Sequence, residues 1–508
     1  MNHFGLRHFA ARDRDATAVI EQNGAIWSRG ELLALADRTA CAFAACGLEP
    51  GDVVAIVAPN CAEYLAAYLA GIGAGLYVVP LNWHLAAPEI DYLLEDSGAK
   101  AIVAHARLGE RRLAALRAHA DRVTALVAIG AAEGFCELRE FARATARPLP
   151  SAPEGRMLPY TSATTGRPKG VWRPLPGARE AVRKFVEWHL ALGVELEHDN
   201  VHLCSSMLYH AAPLDGARIA LEMGHGVVLM DTWEPLAVLE IIEWRRVTTT
   251  FMTPTMFVRL LKLPDDARTS HSTESLRFVV HGGAPCAPDV KHRMLDWWGP
   301  ILWEAYGASE AQGTIASSEE WMRRPGTVGR PIEGTQLAIL DEQGRELPAG
   351  EIGLIYLTPY TGERFEYYGD ETKTRACRRG DFVCVGDLGY VDDDGYLFVC
   401  GRSTEVIISS GMNIYPAEIE QVLIGHPAVA DCAVVGARHE VLGEVPYAVV
   451  QPAPGTEPST ELTRELLRFL GQRVAAMKLP RRIEYRAEVP RDPNGKLQRA
   501  ALRRELAP

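Results

Sequence analysis

Residues 160–170 read Tyr160-Thr-Ser-Ala-Thr-Thr-Gly-Arg-Pro-Lys-Gly170, a run of hydroxyl and small side chains closed by a lysine. Hydroxyls and backbone N–H groups donate hydrogen bonds and an ammonium supplies positive charge, which together suit a polyphosphate. Pro148, Pro150, Pro153 and Pro159 come just before, so the run is expected in a loop entering a strand end. It is not a Walker P-loop. That motif runs its second glycine straight into the lysine, whereas Arg167 and Pro168 separate Gly166 from Lys169. A Ser/Thr-rich surface turn has a similar composition; the lysine and the glycines favour phosphate.

Further segments carry chemistry of a compatible kind. Val280-His-Gly-Gly-Ala-Pro285 follows an apolar run, and its glycines let a flat ring approach the backbone, although an ordinary strand-to-helix turn reads the same. Trp303-Glu-Ala-Tyr-Gly-Ala-Ser-Glu310 gathers an aromatic, a glycine, a hydroxyl and a carboxylate. Tyr306 could stack on a base and Glu310 could hold Mg²⁺ against phosphate oxygens; a loop glutamate facing water is the plainer reading. Asp387 offers a carboxylate for a ribose diol, or belongs to a tight turn. Arg402 could reach ribose or phosphate, or form a salt bridge at a domain boundary. Lys496 follows a glycine turn near the C-terminus, where an exposed tail lysine is the ordinary case.

These segments need elements to position them. The 508 residues are 47% hydrophobic and 23% charged, a globular composition with room for about three or four structural units. A formal net charge of −12 argues against a nucleic-acid surface and requires a local positive site for any anionic ligand. The ten cysteines are scattered without a Cys-x-x-Cys pair, which argues against zinc or a disulfide scaffold and suits a reducing cytoplasm. The N-terminal residues have no apolar signal region. The uncharged run 64–81 is divided by Gly71, Gly73 and Gly75, so a helix followed by a buried strand ending at Pro80 is expected, with no transmembrane segment.

Residues 30–150 alternate helical and strand patterns: helix 32–46, strand 53–58, helix 61–69, a strand at Val78, helix 88–95 and strand 101–104. That βαβ rhythm predicts a parallel sheet covered by helices. It resumes with strand 226–230, helix 235–246 and strands 248–252 and 276–280. From about residue 334 short strands and turns such as Asp341-Glu-Gln-Gly344 and Asp392-Asp-Asp-Gly395 predict a small antiparallel subdomain. A compact tail follows, with helix 416–423, strands 431–435 and 447–450, helix 461–477 and strand 483–485. The expected class is α/β: a large N-terminal domain of parallel βαβ subdomains plus a small antiparallel β-subdomain (residues 1–402), then a small mobile C-terminal α+β domain (403–508).

The number, order and spacing of the motifs resemble the superfamily of adenylate-forming enzymes, which includes acyl- and aryl-CoA synthetases, peptide-synthetase adenylation domains and beetle luciferase. The likeness runs from the N-terminal βαβ region to Lys496. It implies a two-step reaction: a carboxylate attacks the α-phosphate of Mg·ATP to give acyl-AMP and pyrophosphate, and a thiol, usually CoA, then attacks the mixed anhydride. Position by position it implies that Thr161, Ser162, Thr164, Thr165 and Lys169 hold the β- and γ-phosphates. Gly283, Ala284 and Tyr306 would frame adenine, and Asp387 and Arg402 would hold ribose. Ser309, where threonine is usual, would touch phosphate; Glu310 would bind Mg²⁺; Lys496 would bridge the carboxylate and the α-phosphate. Chemistry of this kind depends on positioning and charge neutralisation more than on a base.

The resemblance also implies that the tail domain rotates between half-reactions, withdrawing Lys496 and opening a pantetheine tunnel bordered by Ser410 and Gly411. The pivot falls at Thr404, where aspartate or lysine is usual. Ala163 likewise replaces a usual glycine. His210 stands where these synthetases often carry a histidine beside the carboxylate, and Gly307 would border the same acyl pocket. Amino-acid-activating relatives place an aspartate where Pro213 aligns, which disfavours amino acids. The small residues Ala211, Ala212, Gly216 and Ala217 suggest a roomy pocket. Residues 407–416 resemble ligases for medium, long or polycyclic acids, including bile-acid, steroid side-chain and diterpenoid acids, the last as in platensimycin-type antibiotic pathways. The expected function is therefore an ATP-, Mg²⁺- and CoA-dependent ligase for a bulky hydrophobic acid. Rival expectations are an adenylating enzyme that hands acyl-AMP to another protein, a luciferase-like oxygenase, and a non-catalytic nucleotide-binding relative. Intact Lys169, Glu310, Asp387 and Lys496 weigh against the last. Dimers are common among relatives, so a homodimer is among the implied partners.

Overall fold

The computed structural model describes residues 4–143, 153–161, 167–197, 199–492, 495 and 497–506. The chain forms two compact units, one of residues 1–251, 275–278 and 363–376, the other of residues 252–274, 279–362 and 377–508.

The first unit is built on the predicted βαβ rhythm. Strands Cys136–Glu137, Ala125–Ile129, Ala101–His105, Val53–Val57, Tyr77–Pro80 and Arg156–Met157 lie side by side in that order, all parallel. Val53–Val57 is buried throughout, as a strand covered on both faces must be. Alternation sends Val54, Ile56, Val78 and Val103 to one core with Phe43, Tyr64 and Tyr68. It sends Val53, Ala55, Val57 and Ile102 to another with Ile90, Leu93 and Leu113. Tyr64 and Tyr68 belong to helix Ala62–Gly73, and the uncharged run indeed splits into that helix and strand Tyr77–Pro80. Among the described residues no helix is long and apolar enough to cross a membrane. Strands Thr249–Met252, Val201–Cys204, Gly226–Leu229 and Thr17–Glu21 pair in that order, and Ile26–Ser28 adds antiparallel to the last. A small antiparallel sheet holds Tyr160–Thr161, Lys169–Trp172 and Glu366–Tyr367.

In the second unit Phe278–Gly282 runs parallel to Leu302–Gly307, which turns back into Gln312–Ala316. The predicted antiparallel subdomain is a separate sheet that includes Leu337–Leu340, Gly353–Leu357, Asp387–Val391 and Leu397–Arg402. The tail forms a third sheet around strands Val429–His439 and Gly443–Pro452. One face of that sheet, with Cys432, Val434, Ala448 and Val450, packs with residues of helices Pro416–Ile424 and Thr460–Gly471. The other, with Ala433, Val435, Tyr447 and Val449, packs with Leu502 of helix Arg499–Leu506. The helix expected over 461–477 stops at Gly471. Leu462, Leu466 and Leu470 complete its buried stripe, and glycine then weakens further propagation. Helix Ala178–Ala191, whose N-cap Gly177 makes no side-chain cap bond, and helix Pro288–Trp298, which opens on proline, lie outside the predicted pattern.

Candidate active site

The two ends of the candidate phosphate motif, strands Tyr160–Thr161 and Lys169–Trp172, pair antiparallel in the first unit. Thr161 and Lys169 sit opposite each other in register, with Gly170 opposite Tyr160. Ser162, Thr164 and Thr165, together with Ala163, lie outside the described residues. The Lys169 ammonium is 3.7 Å from Asp96 and 4.0 Å from Asp370. Asp96 also accepts from Tyr160 Oη at 2.9 Å and Tyr92 Oη at 3.0 Å, and Tyr92 reaches the Pro168 carbonyl at 2.9 Å. Burial, reinforced by the bond to Asp96, pushes the Tyr92 phenol up to about 12, so it remains a donor at physiological pH. Lys169 thus emerges from a braced carboxylate–phenol cluster. Asp96 and Asp370 had no local signal in the sequence, because only the fold brings them to Lys169.

In the same unit His210 occupies the N-cap position of helix Ala211–Glu222, half-buried, its ring 4.6 Å from that of Tyr209. The Tyr209 ring lies 6.3 Å from that of His84, which stacks on Trp83 at 3.6 Å. These aromatic neighbours of His210 were also invisible to motif reading, since residues 83–84 and 209–210 are joined only by packing. Gly216 lies beneath His202: a side-chain carbon there would sit 3.4 Å from its Nε2.

In the second unit Gly283 follows strand Phe278–Gly282 with φ of 80°, a conformation that excludes most side chains, and the space beyond it is open. Ala284 beside it is half-buried. Strand Leu302–Gly307 delivers Tyr306, then bulges at Gly307, which is exposed; Ala308 N donates to the Ala311 carbonyl at 2.7 Å and closes the turn that carries Ser309 and Glu310. Glu310 is buried and Ser309 half-buried. Tyr306 Oη donates to Asp387 Oδ2 at 2.8 Å, and Arg402 Nε lies 3.1 Å from Asp387 Oδ1. The pairing of Asp387 with Arg402 across antiparallel strands sets that geometry. Burial, with the adjacent Asp387 carboxylate, raises the Tyr306 phenol well above its ordinary range and keeps it a donor. The fold therefore brings Tyr306, Asp387 and Arg402 into one constellation.

Two strand positions before Gly283 and Tyr306 lie His281 and Glu304, facing each other in register. Both are buried, and Lys291, fully buried on helix Pro288–Trp298, bridges to Glu304 at 2.8 Å. His281 sits 3.6 Å from the same carboxylate, beyond hydrogen-bond range, and burial drives it well below its usual value, so it is neutral. The Lys291–Glu304 bond thus ties the helix to strand Leu302–Gly307 just before Tyr306, while His281 only packs alongside.

Thr404 sits exposed in the short helix Ser403–Glu405. Ser410 and Gly411 form the exposed tip of hairpin Ile407–Ser409/Met412–Ile414, both at positive φ (49° and 79°), as a tight two-residue turn requires. Lys496 lies outside the described residues, but its neighbour Gly495 has its carbonyl 3.2 Å from Thr255 Oγ1 and 2.7 Å from Arg491 Nη1. Among the described residues no cluster of three or more His, Cys, Asp or Glu side chains could hold a metal ion. Mg²⁺ typically takes one or two carboxylates plus substrate phosphates, and Glu310 fits that demand.

The model of the AMP-binding enzyme family matches residues 6–361, and that of the AMP-binding enzyme C-terminal domain matches residues 418–496. The chain belongs to the AMP-binding enzymes. It is 32% identical to the fatty acid–[acyl-carrier-protein] ligase ScoC of Streptomyces coeruleorubidus, over 97% of this chain and 94% of that one. It is 34% identical to a feruloyl-CoA synthase of Amycolatopsis sp, over 97% and 96%. The anthranilate CoA ligase AuaEII in complex with anthranoyl-AMP superposes with a TM-score of 0.89 at 25% identity, covering 100% of this chain and 98% of that one. The superfamily and the fold class expected from the motifs are thereby established, as is the enzyme class: this AMP-binding enzyme is an acid–thiol ligase of the AMP-forming acyl-CoA synthetase type.

Proposed function

We propose that this AMP-binding enzyme activates a bulky hydrophobic carboxylic acid with ATP and transfers the acyl group to CoA. The carboxylate oxygen attacks the α-phosphorus, the bond to the bridging α–β oxygen breaks, and pyrophosphate leaves with the electron pair. The CoA thiolate then attacks the acyl carbon and AMP departs. The observation that carries the reading is the Asp387 carboxylate, aimed by Tyr306 Oη at 2.8 Å and Arg402 Nε at 3.1 Å. Each of its oxygens keeps acceptor capacity for a ribose hydroxyl. In this reading Gly283, Ala284 and Tyr306 frame adenine, and Arg402 and Asp387 hold ribose. Thr161, Ser162, Thr164, Thr165, Lys169 and Ser309 hold phosphate oxygens. Glu310 would hold Mg²⁺, which would neutralise phosphate charge. Lys496, on a domain of residues 403–508 pivoting at Thr404, bridges carboxylate and α-phosphate. His210 and Gly307 border the acid, and Ser410 and Gly411 the thiol. Support for a hydrophobic acid comes from the aromatic surroundings of His210 and from Pro213 in place of an acidic partner for an ammonium.

A second reading has a carrier protein as the thiol acceptor. Two observations favour it: ScoC is named as a ligase to an acyl carrier protein, and Thr404 replaces the usual charged pivot.

The test is a product assay with ATP, Mg²⁺ and fatty, aryl, bile and diterpenoid acids, with and without CoA, read by mass. Acyl-CoA is the expected product, and it names the acid. Acyl-AMP that persists with CoA present supports the carrier-protein reading. Neither product from any acid refutes both. Lys496→Ala should lose adenylation and keep ATP binding; full activity in that variant would overturn its role.

A further inference from the structure

The segment that must swing in a two-step ligase is gripped on both sides in this structure. On its N-terminal side Ser403 N donates to the Gly386 carbonyl at 2.8 Å, and the preceding Arg402 pairs with Asp387. On its C-terminal side the grip comes from helix Arg499–Leu506, at the far end of the chain. Arg503 Nη1 donates to the Thr404 carbonyl at 2.8 Å, and its Nη2 meets Glu444 at 3.0 Å. Glu444 in turn accepts from Ile408 N at 3.3 Å. Arg499 reaches Glu405 at 2.9 Å and Glu420 at 2.6 Å, and donates to the Val434 carbonyl at 2.5 Å. Leu502, fully buried against the tail sheet, anchors this helix between the two arginines.

We infer that Arg503 and Arg499 are positioning residues of the hinge, which lock Thr404 and Glu405 to the tail sheet so that only the torsions around Ser403 and Thr404 absorb the rotation. The inference rests on the two-step reading above. A guanidinium fork holds a carbonyl and a carboxylate at fixed angles, so it fixes the peptide plane after Thr404 without touching the side chain. This compensates for the uncharged Thr404: the pivot is held by its backbone from a distant helix. A hinge flanked by rigid anchors confines the motion to a few torsions, whereas loss of one anchor spreads it over residues 403–408.

The test uses Arg503→Met and Arg503→Lys in the full-length enzyme. Arg503 is part-exposed and its helix is anchored separately by Leu502, so both variants should fold. Two half-reactions are read separately: acid-dependent ATP–pyrophosphate exchange, and single-turnover thioester formation from preformed acyl-AMP and CoA. Loss of a hydrogen bond from a charged donor should slow thioester formation roughly tenfold in Arg503→Met, with exchange unchanged and partial recovery in Arg503→Lys. Equal loss in both half-reactions, or no loss in the second, overturns the inference. Amide hydrogen exchange over residues 400–408 gives a readout independent of catalysis. It should speed up in Arg503→Met, and unchanged exchange also overturns the inference. Wild-type enzyme that forms no thioester with CoA would sink the ligase reading instead, and the exchange measurement would still judge the clamp.

Discussion

Replacing Tyr306 by phenylalanine isolates one atom of the proposed nucleotide site. The ring that would stack on adenine remains, and the hydroxyl that donates to Asp387 at 2.8 Å is gone. Asp387 is only 7% exposed, so water replaces the lost donor poorly. Arg402 still holds the other oxygen. A hydrogen bond to a charged acceptor contributes about 1.5–3 kcal/mol. At about 1.4 kcal/mol per factor of ten, the misaimed carboxylate should weaken nucleotide binding by roughly 10- to 100-fold. If Asp387 binds ribose equally in the ground and transition states, the loss should fall on KM for ATP and leave kcat nearly unchanged. Steady-state pyrophosphate release at varied ATP measures this, and calorimetric titration with AMP checks it without turnover. An unchanged KM and AMP affinity would show that Asp387 needs no aiming by Tyr306. A fall in kcat at constant KM would place Tyr306 in the chemical step instead.

Lys291→Met should destabilise the enzyme by about 3–5 kcal/mol by leaving Glu304 buried and unpaired, and the double variant with Glu304→Gln should recover most of the loss; thermal unfolding decides, and a near-neutral single variant would show that the pair is not what ties the helix to its strand. Asp215 is pushed by burial from its ordinary 3.8 up to about 6, against the pull of Arg218 and Arg173. Its folded-state value is raised, so it costs stability as pH rises from about 4 to 6, and the full penalty persists above that. Asp215→Asn should therefore be the more stable protein at pH 8, by on the order of 3 kcal/mol, with the difference vanishing below pH 4; a difference independent of pH would refute the shift. Lys169→Ala should raise KM for ATP at least roughly tenfold by removing the ammonium that lies beside Asp96 and Asp370; unchanged ATP dependence would exclude a phosphate role. Chelation of Mg²⁺ should abolish pyrophosphate exchange while leaving circular dichroism unchanged, and persistent exchange would remove the metal role proposed for Glu310.

The segments of the candidate site stand out along the chain because each is a local run of residues. The glycines after an apolar run at 282–283, the lysine that closes 160–170 and the aromatic, glycine and carboxylate of 303–310 are local residue types; the positive φ of Gly283, the pairing of Thr161 with Lys169 and the bulge at Gly307 came from the structure. The alternating strands and their covering helices were legible for the same reason, since apolar periodicity is a property of a dozen consecutive residues. Helix ends were less so: the tail helix stops at Gly471 because its buried stripe ends there, which depends on the sheet it packs against.

How distant polar groups meet is set by the packing of the fold. Asp96 and Asp370 beside Lys169, Tyr306 on Asp387, Lys291 under Glu304 and Arg503 on the Thr404 carbonyl all join residues far apart in sequence or on separate elements. A lone Asp, Lys or Arg has the same composition whether it faces water or aims a catalytic group. Strand register and helix packing choose between those fates, and the energy that enforces the choice is the high cost of burying a charge without its partner.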